Sequence, residues 1–222
     1  MKKRLLAALL LLCMLSGALA EETPRPLAVQ VNGLGYTFQG LKRILRVELF
    51  CAALDCAGRG YGIDITEPLT IEDVLDKTVF ALEDGLNIRQ LAKEARITLE
   101  EQDKERARQL GRERWENYRA VVSSEQAAVF LPAIAYEPGA TPAETITRYL
   151  NAFGLTEEYL IAQARDEILE EKLKANFLQG REGTEEELLM AYIDWQLDAL
   201  SRALVEEDAA ALSELQRTVW ED

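Results

Sequence analysis

Along the chain, stretches of helical amphipathic periodicity alternate with short breaks rich in glycine and proline. Thr37 is placed to cap a first helix that runs to about Ala53, and a loop with four glycine or proline residues follows from Asp55 to Pro68. A second helix is predicted to begin at Thr70. Apolar positions recur at helical spacing in both: Leu41, Ile44, Leu45 and Leu49 in the first, and Ile71, Val74, Leu75, Val79, Leu82 and Leu86 in the second.

Four further helix starts carry threonine caps. Thr98, Thr141 and Thr184 are each followed three residues later by glutamate, which is the capping-box pattern. Thr156 precedes two glutamates and a long amphipathic helix that stops at Gly180. These regular start signals predict a helical protein.

The helix predicted from Leu99 to about Val122 is mostly charged. Its apolar positions form one narrow seam, made of Ala107, Leu110, Tyr118 and Val122. A narrow seam fits either an arm that touches the rest of the protein along one edge or an ordinary solvated surface helix. Both interpretations stay open at this point.

The chain offers little material for a sheet. Residues 27–31 are partly β-branched and precede the Asn32-Gly33 turn signal, so at most one short strand is expected near Val29 to Val31. The predicted fold class is therefore all-α, with five or six amphipathic helices. We expect one helical domain over residues 28–204, followed by an acidic tail or short helix over residues 205–222.

The first 20 residues have the pattern of a secretory signal peptide. Lys2, Lys3 and Arg4 precede an apolar run, and Ala18 and Ala20 give the small residues of a cleavage site. Residues 21–27, which include Pro24 and Pro26, are predicted to form a tether. We expect cleavage near Ala20, no membrane span afterwards, and a location outside the cytoplasm, whether secreted, periplasmic or in the cell envelope. A membrane anchor at the N-terminus and a lipid anchor at Cys13 are the alternatives.

The charge and the residue types exclude several functions. The formal net charge is −14, and loss of the three positive charges before the cleavage site makes it −17. Nucleic acids and anionic membranes repel such a surface. The chain has no histidine, which excludes a nucleophile–histidine pair. The paired glutamates lie in first helical turns, where they balance the helix dipole, or in the charged tail, where they are solvated. We therefore predict no catalytic, cofactor-binding or metal site.

Two cysteines remain after cleavage, Cys51 and Cys56. Within one helix their spacing places the Cα atoms too far apart for a disulfide, so two free, partly buried thiols are expected. A bridge can form if the helix ends between them.

The order of the elements resembles the N-terminal helical domain of SurA- and PrsA-type extracytoplasmic chaperones, which is related to the client-binding arms of trigger factor. Residues 28–33 resemble the opening strand and turn of that family, and residues 82–103 resemble its "L…EAKKRGIT" passage, except that Arg96 stands where glycine is usual. Residues 154–173 resemble the family's "GLTEEEL" helix, and residues 184–192 its outgoing helix.

The resemblance implies an exported, ATP-independent holdase that binds unfolded or partly folded polypeptides. Many relatives carry a parvulin-type prolyl isomerase domain, but only 18 residues follow Leu204 and histidine is absent. Prolyl isomerase activity would therefore rest on the family name alone. The alternative from another class is an envelope adaptor that binds one folded partner. The candidate client-binding residues lie in an apolar segment and on the last long helix: Val129, Phe130, Leu131, Ile134, Tyr136, Tyr192 and Trp195.

Overall fold

The computed structural model describes residues 27–125, 129 and 139–221, and its first element is a β-hairpin. Strand β1 (Leu27–Val31) pairs antiparallel with β2 (Leu34–Thr37). Asn32 and Gly33 connect them with φ values of 51° and 79°, the left-handed conformation that a two-residue hairpin turn of type I′ requires. The expectation of a single strand is wrong, because the Asn-Gly turn was recognised without its second strand.

A third strand comes from the far end of the chain. Strand β3 (Val205–Glu207) pairs antiparallel with the free edge of β1, so the sheet order is β2-β1-β3. The Asn32 N–H donates to the Leu204 carbonyl at 2.8 Å, and the Leu204 N–H donates to Asn32 Oδ1 at 2.9 Å. The predicted division at residue 204 therefore cuts through one small sheet.

Helices dominate the part of the chain that the structure describes, which confirms the all-α class. Seven are complete there: six within residues 28–204, the upper predicted number, and one within residues 205–222, where a tail or a short helix was expected. They are α1 (Phe38–Gly58), α2 (Pro68–Glu94), α3 (Glu101–Val122), α4 (Pro142–Ala152), α5 (Glu157–Leu178), α6 (Glu185–Arg202) and α7 (Ala209–Thr218).

Four of the predicted caps are confirmed and two are wrong. The side chains of Thr37, Thr141, Thr156 and Thr184 each accept a backbone N–H in the first turn of their helix.

The two wrong caps are Thr70 and Thr98. Helix α2 begins at Pro68 instead, where proline's missing N–H costs nothing. Helix α3 begins after Glu100, whose N–H donates to Asp103 Oδ2 at 2.9 Å.

The main core lies between the sheet, α1, α2, α4 and α7. Phe50 stacks on Phe153 with ring centroids 4.4 Å apart. Leu215 of α7 is fully buried, as is Val219 just after it. Trp220 donates from Nε1 to the Ile65 carbonyl at 3.2 Å. The C-terminal residues thus complete the core.

Helices α3 and α5 pack along each other in a close seam. Ala107, Ala164 and Ile168 are buried in it, and Gly111 of α3 lies so close to α5 that an added Cβ would stand 2.4 Å from Ile161 Cγ1. Of the predicted seam residues, Ala107 and Val122 are buried and Leu110 and Tyr118 are half-buried. Four ion pairs cross the seam: Arg106–Glu171, Arg112–Glu157, Arg114–Glu167 and Lys172–Asp103.

Candidate functional site

The predicted client-binding residues fall into two groups. Of the apolar segment, Val129 is 72% exposed, whereas Phe130, Leu131, Ile134 and Tyr136 lie outside the described residues. Tyr192 and Trp195 lie on α6.

The structure assigns Tyr192 to the core rather than to a surface. Its side chain is 2% exposed and its hydroxyl accepts from Gln196 Nε2 at 3.1 Å. Trp195 is half-buried and stacks on Phe177 with centroids 4.8 Å apart. Together with Leu173 these rings form a second apolar cluster between α2, α5 and α6. Helix docking therefore leaves Tyr192 no surface for a client.

The other face of α6 remains apolar and exposed. Leu189, Met190 and Leu197 are 39%, 51% and 51% exposed. At helical spacing they lie on one side of the helix, with the half-buried Ile193 between them. We call these four residues the α6 stripe.

A large cleft lies between α1, α2 and α5 and is here called the α1–α2–α5 cleft. Its volume is about 1460 Å³, above the ~300–1,000 Å³ of typical small-ligand pockets. It is open to solvent, and Leu69 on its lip is 69% exposed. Larger apolar side chains on its walls are Ile44, Ile63, Leu69, Val74 and Leu82. Such an open apolar space is suited to a chain-like ligand.

Each helix contributes one face to this cleft. Ile44, Glu48 and Ala52 follow each other at four-residue spacing on α1, and α2 and α5 contribute similar rows. Many members of these rows are small, which explains why space remains between the helices. The small residues are Gly40, Cys51, Ala52, Cys56, Thr70, Thr78, Ala81, Gly85 and Ala162.

Acidic side chains predominate around the cleft. Seven carboxylates line it against three basic side chains, Arg43, Lys77 and Arg89. Arg89 of α2 bonds both oxygens of Asp166 of α5 at 3.0 and 2.6 Å, so this pair links the two helices beside the cleft. The surplus of negative charge disfavours anionic ligands and favours cationic ones.

Two hydrogen-bonded groups lie in the cleft wall. The Tyr159 hydroxyl donates to Glu48 Oε1 at 3.3 Å and accepts from Gln163 Nε2 at 3.2 Å. Cys51 Sγ lies 3.6 Å from the Tyr118 hydroxyl. Burial raises the pKa of Glu48 and raises that of Cys51 to about 11. The Cys51 thiol is therefore protonated at neutral pH and is a poor nucleophile.

Both cysteines are free and half-buried, as predicted. They lie on α1, which continues past both of them to Gly58, so the helical spacing keeps them apart.

The described residues carry neither a metal-binding cluster nor a membrane-spanning helix. No group of three or more cysteine and carboxylate side chains there could hold a metal ion. No helix in the same ranges combines the length and apolarity needed to cross a membrane.

Sequence reasoning missed the cleft, although one signal was present. Glu48 interrupts the apolar side of α1, next to Leu49 and four residues after Ile44. A carboxylate at such a position indicates a wall that is not sealed by a neighbouring helix. Comparison of the chain with known protein families, with curated proteins and with solved structures found no match.

Proposed function

We propose that this protein is an exported, ATP-independent holdase-type chaperone that binds extended or partly folded polypeptides in the α1–α2–α5 cleft. The observation that carries the proposal is the open cleft of about 1460 Å³ with apolar walls. Apolar contacts need no fixed hydrogen-bond register, so they suit clients of many sequences. The net charge of −14 would keep the protein soluble while it holds such clients.

The resemblance to SurA- and PrsA-type chaperones supports the same function. Where that family's pattern carries glycine, this chain has Arg96, and the φ of Arg96 is 57°. That is the left-handed conformation in which glycine is favoured. Export rests on the signal-peptide pattern of residues 1–20, which lie outside the described residues.

The test is suppression of aggregation of several unrelated denatured proteins without ATP. The wild-type protein is expected to protect all of them. Ala162 is an exposed residue of α5 that lines the cleft, so Ala162→Trp should fill part of the space and weaken protection by about 3- to 10-fold, the cost of one blocked apolar contact. Ala175→Trp, at an exposed position of the same helix away from the cleft, is the matched control.

If the wild-type protein protects no client, the proposal is wrong. Equal loss in both tryptophan variants would remove the cleft as the binding site. We also expect no acceleration of proline cis–trans exchange beyond the uncatalysed scale of ~10–100 s.

The α6 stripe favours a second candidate, an envelope adaptor that binds one folded partner. Three large apolar side chains exposed on one rigid helix face are typical of a helix-docking surface. An adaptor is expected to protect no denatured client. If the protein does protect clients, the double variant Met190→Ser and Leu197→Ser shows where they bind. Protection should stay intact if clients bind in the cleft, and it should be lost if they bind to the α6 stripe.

A further inference from the structure

Of the seven carboxylates of the α1–α2–α5 cleft, three form no ion pair among the described residues, and of these three Glu48 is half-buried whereas Glu67 and Glu158 are exposed. Asp55, Asp73, Asp166 and Glu167 are paired with Arg59, Lys77, Arg89 and Arg114, respectively, each at 2.6 Å. Among the described residues, no lysine or arginine forms an ion pair with Glu48. Its one hydrogen bond there comes from the Tyr159 hydroxyl at 3.3 Å, longer than the usual ~2.5–3.0 Å for such a bond.

Because Glu48 is half-buried, the absence of a paired cation destabilises its charged carboxylate. The side chain is half-buried on α1, with Ile44 and Ala52 one turn away on either side along the cleft wall. A carboxylate that has lost water without gaining a cation is destabilised. The raised pKa of Glu48, caused by burial, expresses the same cost. A ligand that brings a cation to Glu48 would remove this destabilisation.

The surroundings limit what kind of ligand can bring that cation. The walls beside Glu48 are apolar, and seven carboxylates against three basic side chains surround the cleft. A lysine or arginine side chain combines an aliphatic stem, which can lie along Ile44, with a charged head that can reach Glu48. Neighbouring apolar residues of the same polypeptide would occupy the rest of the space.

We infer that the cleft selects extended polypeptide segments in which a lysine or arginine stands among apolar residues, and that Glu48 binds that cationic side chain. This inference rests on the proposed function, since it names the class of client that the cleft prefers. It makes Glu48 the residue that determines specificity, while the apolar walls supply contact with any client.

The test uses three labelled peptides that share one apolar sequence and differ at a central position, which is lysine, norleucine or glutamate. Fluorescence anisotropy gives their affinities for the full chain. The lysine peptide is expected to bind about 10-fold more tightly than the norleucine peptide, an effect between those of exposed and fully buried charge pairs. The glutamate peptide should bind most weakly.

Glu48→Gln should reduce the lysine preference to less than about 2-fold, without weakening binding of the norleucine peptide. Glu72→Gln is the matched control, because it makes the same change of charge at an exposed position of α2 outside the cleft. It should keep the full preference. Circular dichroism and a thermal melt of each variant show that the fold is intact.

The outcomes separate the inference from the proposed function. If all three peptides bind the wild-type protein equally, or if Glu48→Gln keeps the lysine preference, the inference is wrong and the chaperone proposal stands. If no peptide binds and no denatured client is protected, both are wrong. A uniform loss of affinity for all three peptides in Glu48→Gln would assign Glu48 a structural role and overturn the inference as well.

Discussion

The two faces of helix α5 show how similar side chains produce opposite results. On one face, Ile161, Ala164 and Ile168 meet α3, and the backbones approach so closely that Gly111 has no room for a Cβ. On the other face, Ala162 and its neighbours line the α1–α2–α5 cleft, which has a volume of about 1460 Å³. Small residues on α5 permit close contact with α3, because α3 runs along that face of α5. On the face that is directed toward α1 and α2, the small residues of α5 leave an open space.

The α3–α5 seam and the α1–α2–α5 cleft also differ in how their charges are paired. Across the α3–α5 seam, acidic side chains are matched by arginine or lysine in four ion pairs. In the cleft, Glu48 has no such partner among the described residues. Ion pairs that border a closed seam complete its packing, whereas an unpaired carboxylate beside open apolar space is suited to a ligand.

Gly111→Ala should have the largest effect, because it breaks the seam. The new Cβ would stand 2.8 Å from the backbone N and Cα of Ile161, which cannot move without shifting α5. We expect a loss of about 1–3 kcal/mol in the free energy of unfolding, or roughly 2–4 °C in melting temperature per kcal/mol.

Gly85→Ala makes the same substitution in the helix wall of the cleft. No atom lies within 4 Å of the new Cβ, so the alanine should raise stability by about 0.5–1 kcal/mol through its better helix propensity. Thermal melts of the pair should therefore shift in opposite directions. Equal shifts would show that the seam is no tighter than the cleft.

Arg89→Gln should have an intermediate effect. The ion pair of Arg89 with Asp166 joins α2 to α5, and its loss leaves Asp166 beside the other cleft carboxylates. Because both side chains are more than a third exposed, the cost should be about 1 kcal/mol or less and should shrink between about 0.1 M and 1 M salt.

Arg112→Gln is the control in the seam, where the guanidinium is 63% exposed and three other ion pairs remain. It should cost less than about 0.5 kcal/mol, measured by denaturant unfolding. A larger cost than that of Arg89→Gln would mean that the seam depends on its ion pairs rather than on close packing.

Glu48→Gln should have the smallest effect on stability, and it should be favourable. Since burial raises the pKa of Glu48 in the folded state, the folded protein binds its proton more tightly than the unfolded chain does. Stability from this group is therefore present at low pH and is lost as the pH rises through the folded pKa. Glutamine carries no charge and escapes this loss.

At pH 7 the melting temperature of Glu48→Gln should therefore slightly exceed that of the wild type. The gain should vanish as the pH falls below the ordinary glutamate pKa of 4.5. Glu72→Gln, at an exposed position, should show no such gain at either pH. A lower melting temperature for Glu48→Gln at pH 7 would show that the carboxylate has a stabilising partner.

The sequence by itself determined the helical class and most helix starts of the described residues. A cap such as Thr141 or Thr184 bonds an N–H only three residues away, so local spacing is sufficient to predict it. The two wrong starts were also local errors, since Pro68 and Glu100 offered competing first turns. The free cysteines followed from helical spacing in the same way.

Only the tertiary structure decided the sheet, the burial of Tyr192 and the existence of the cleft. Strand β3 pairs with β1 although most of the sequence separates the two strands. The three residues of β3 carry no pattern that predicts which strand they pair with. Helix α6 carries apolar side chains on two sides, and docking against Phe177 buried the side of Tyr192 and left the α6 stripe exposed. A cleft is a space between helices, and its shape depends on how three of them are arranged, which no local pattern encodes.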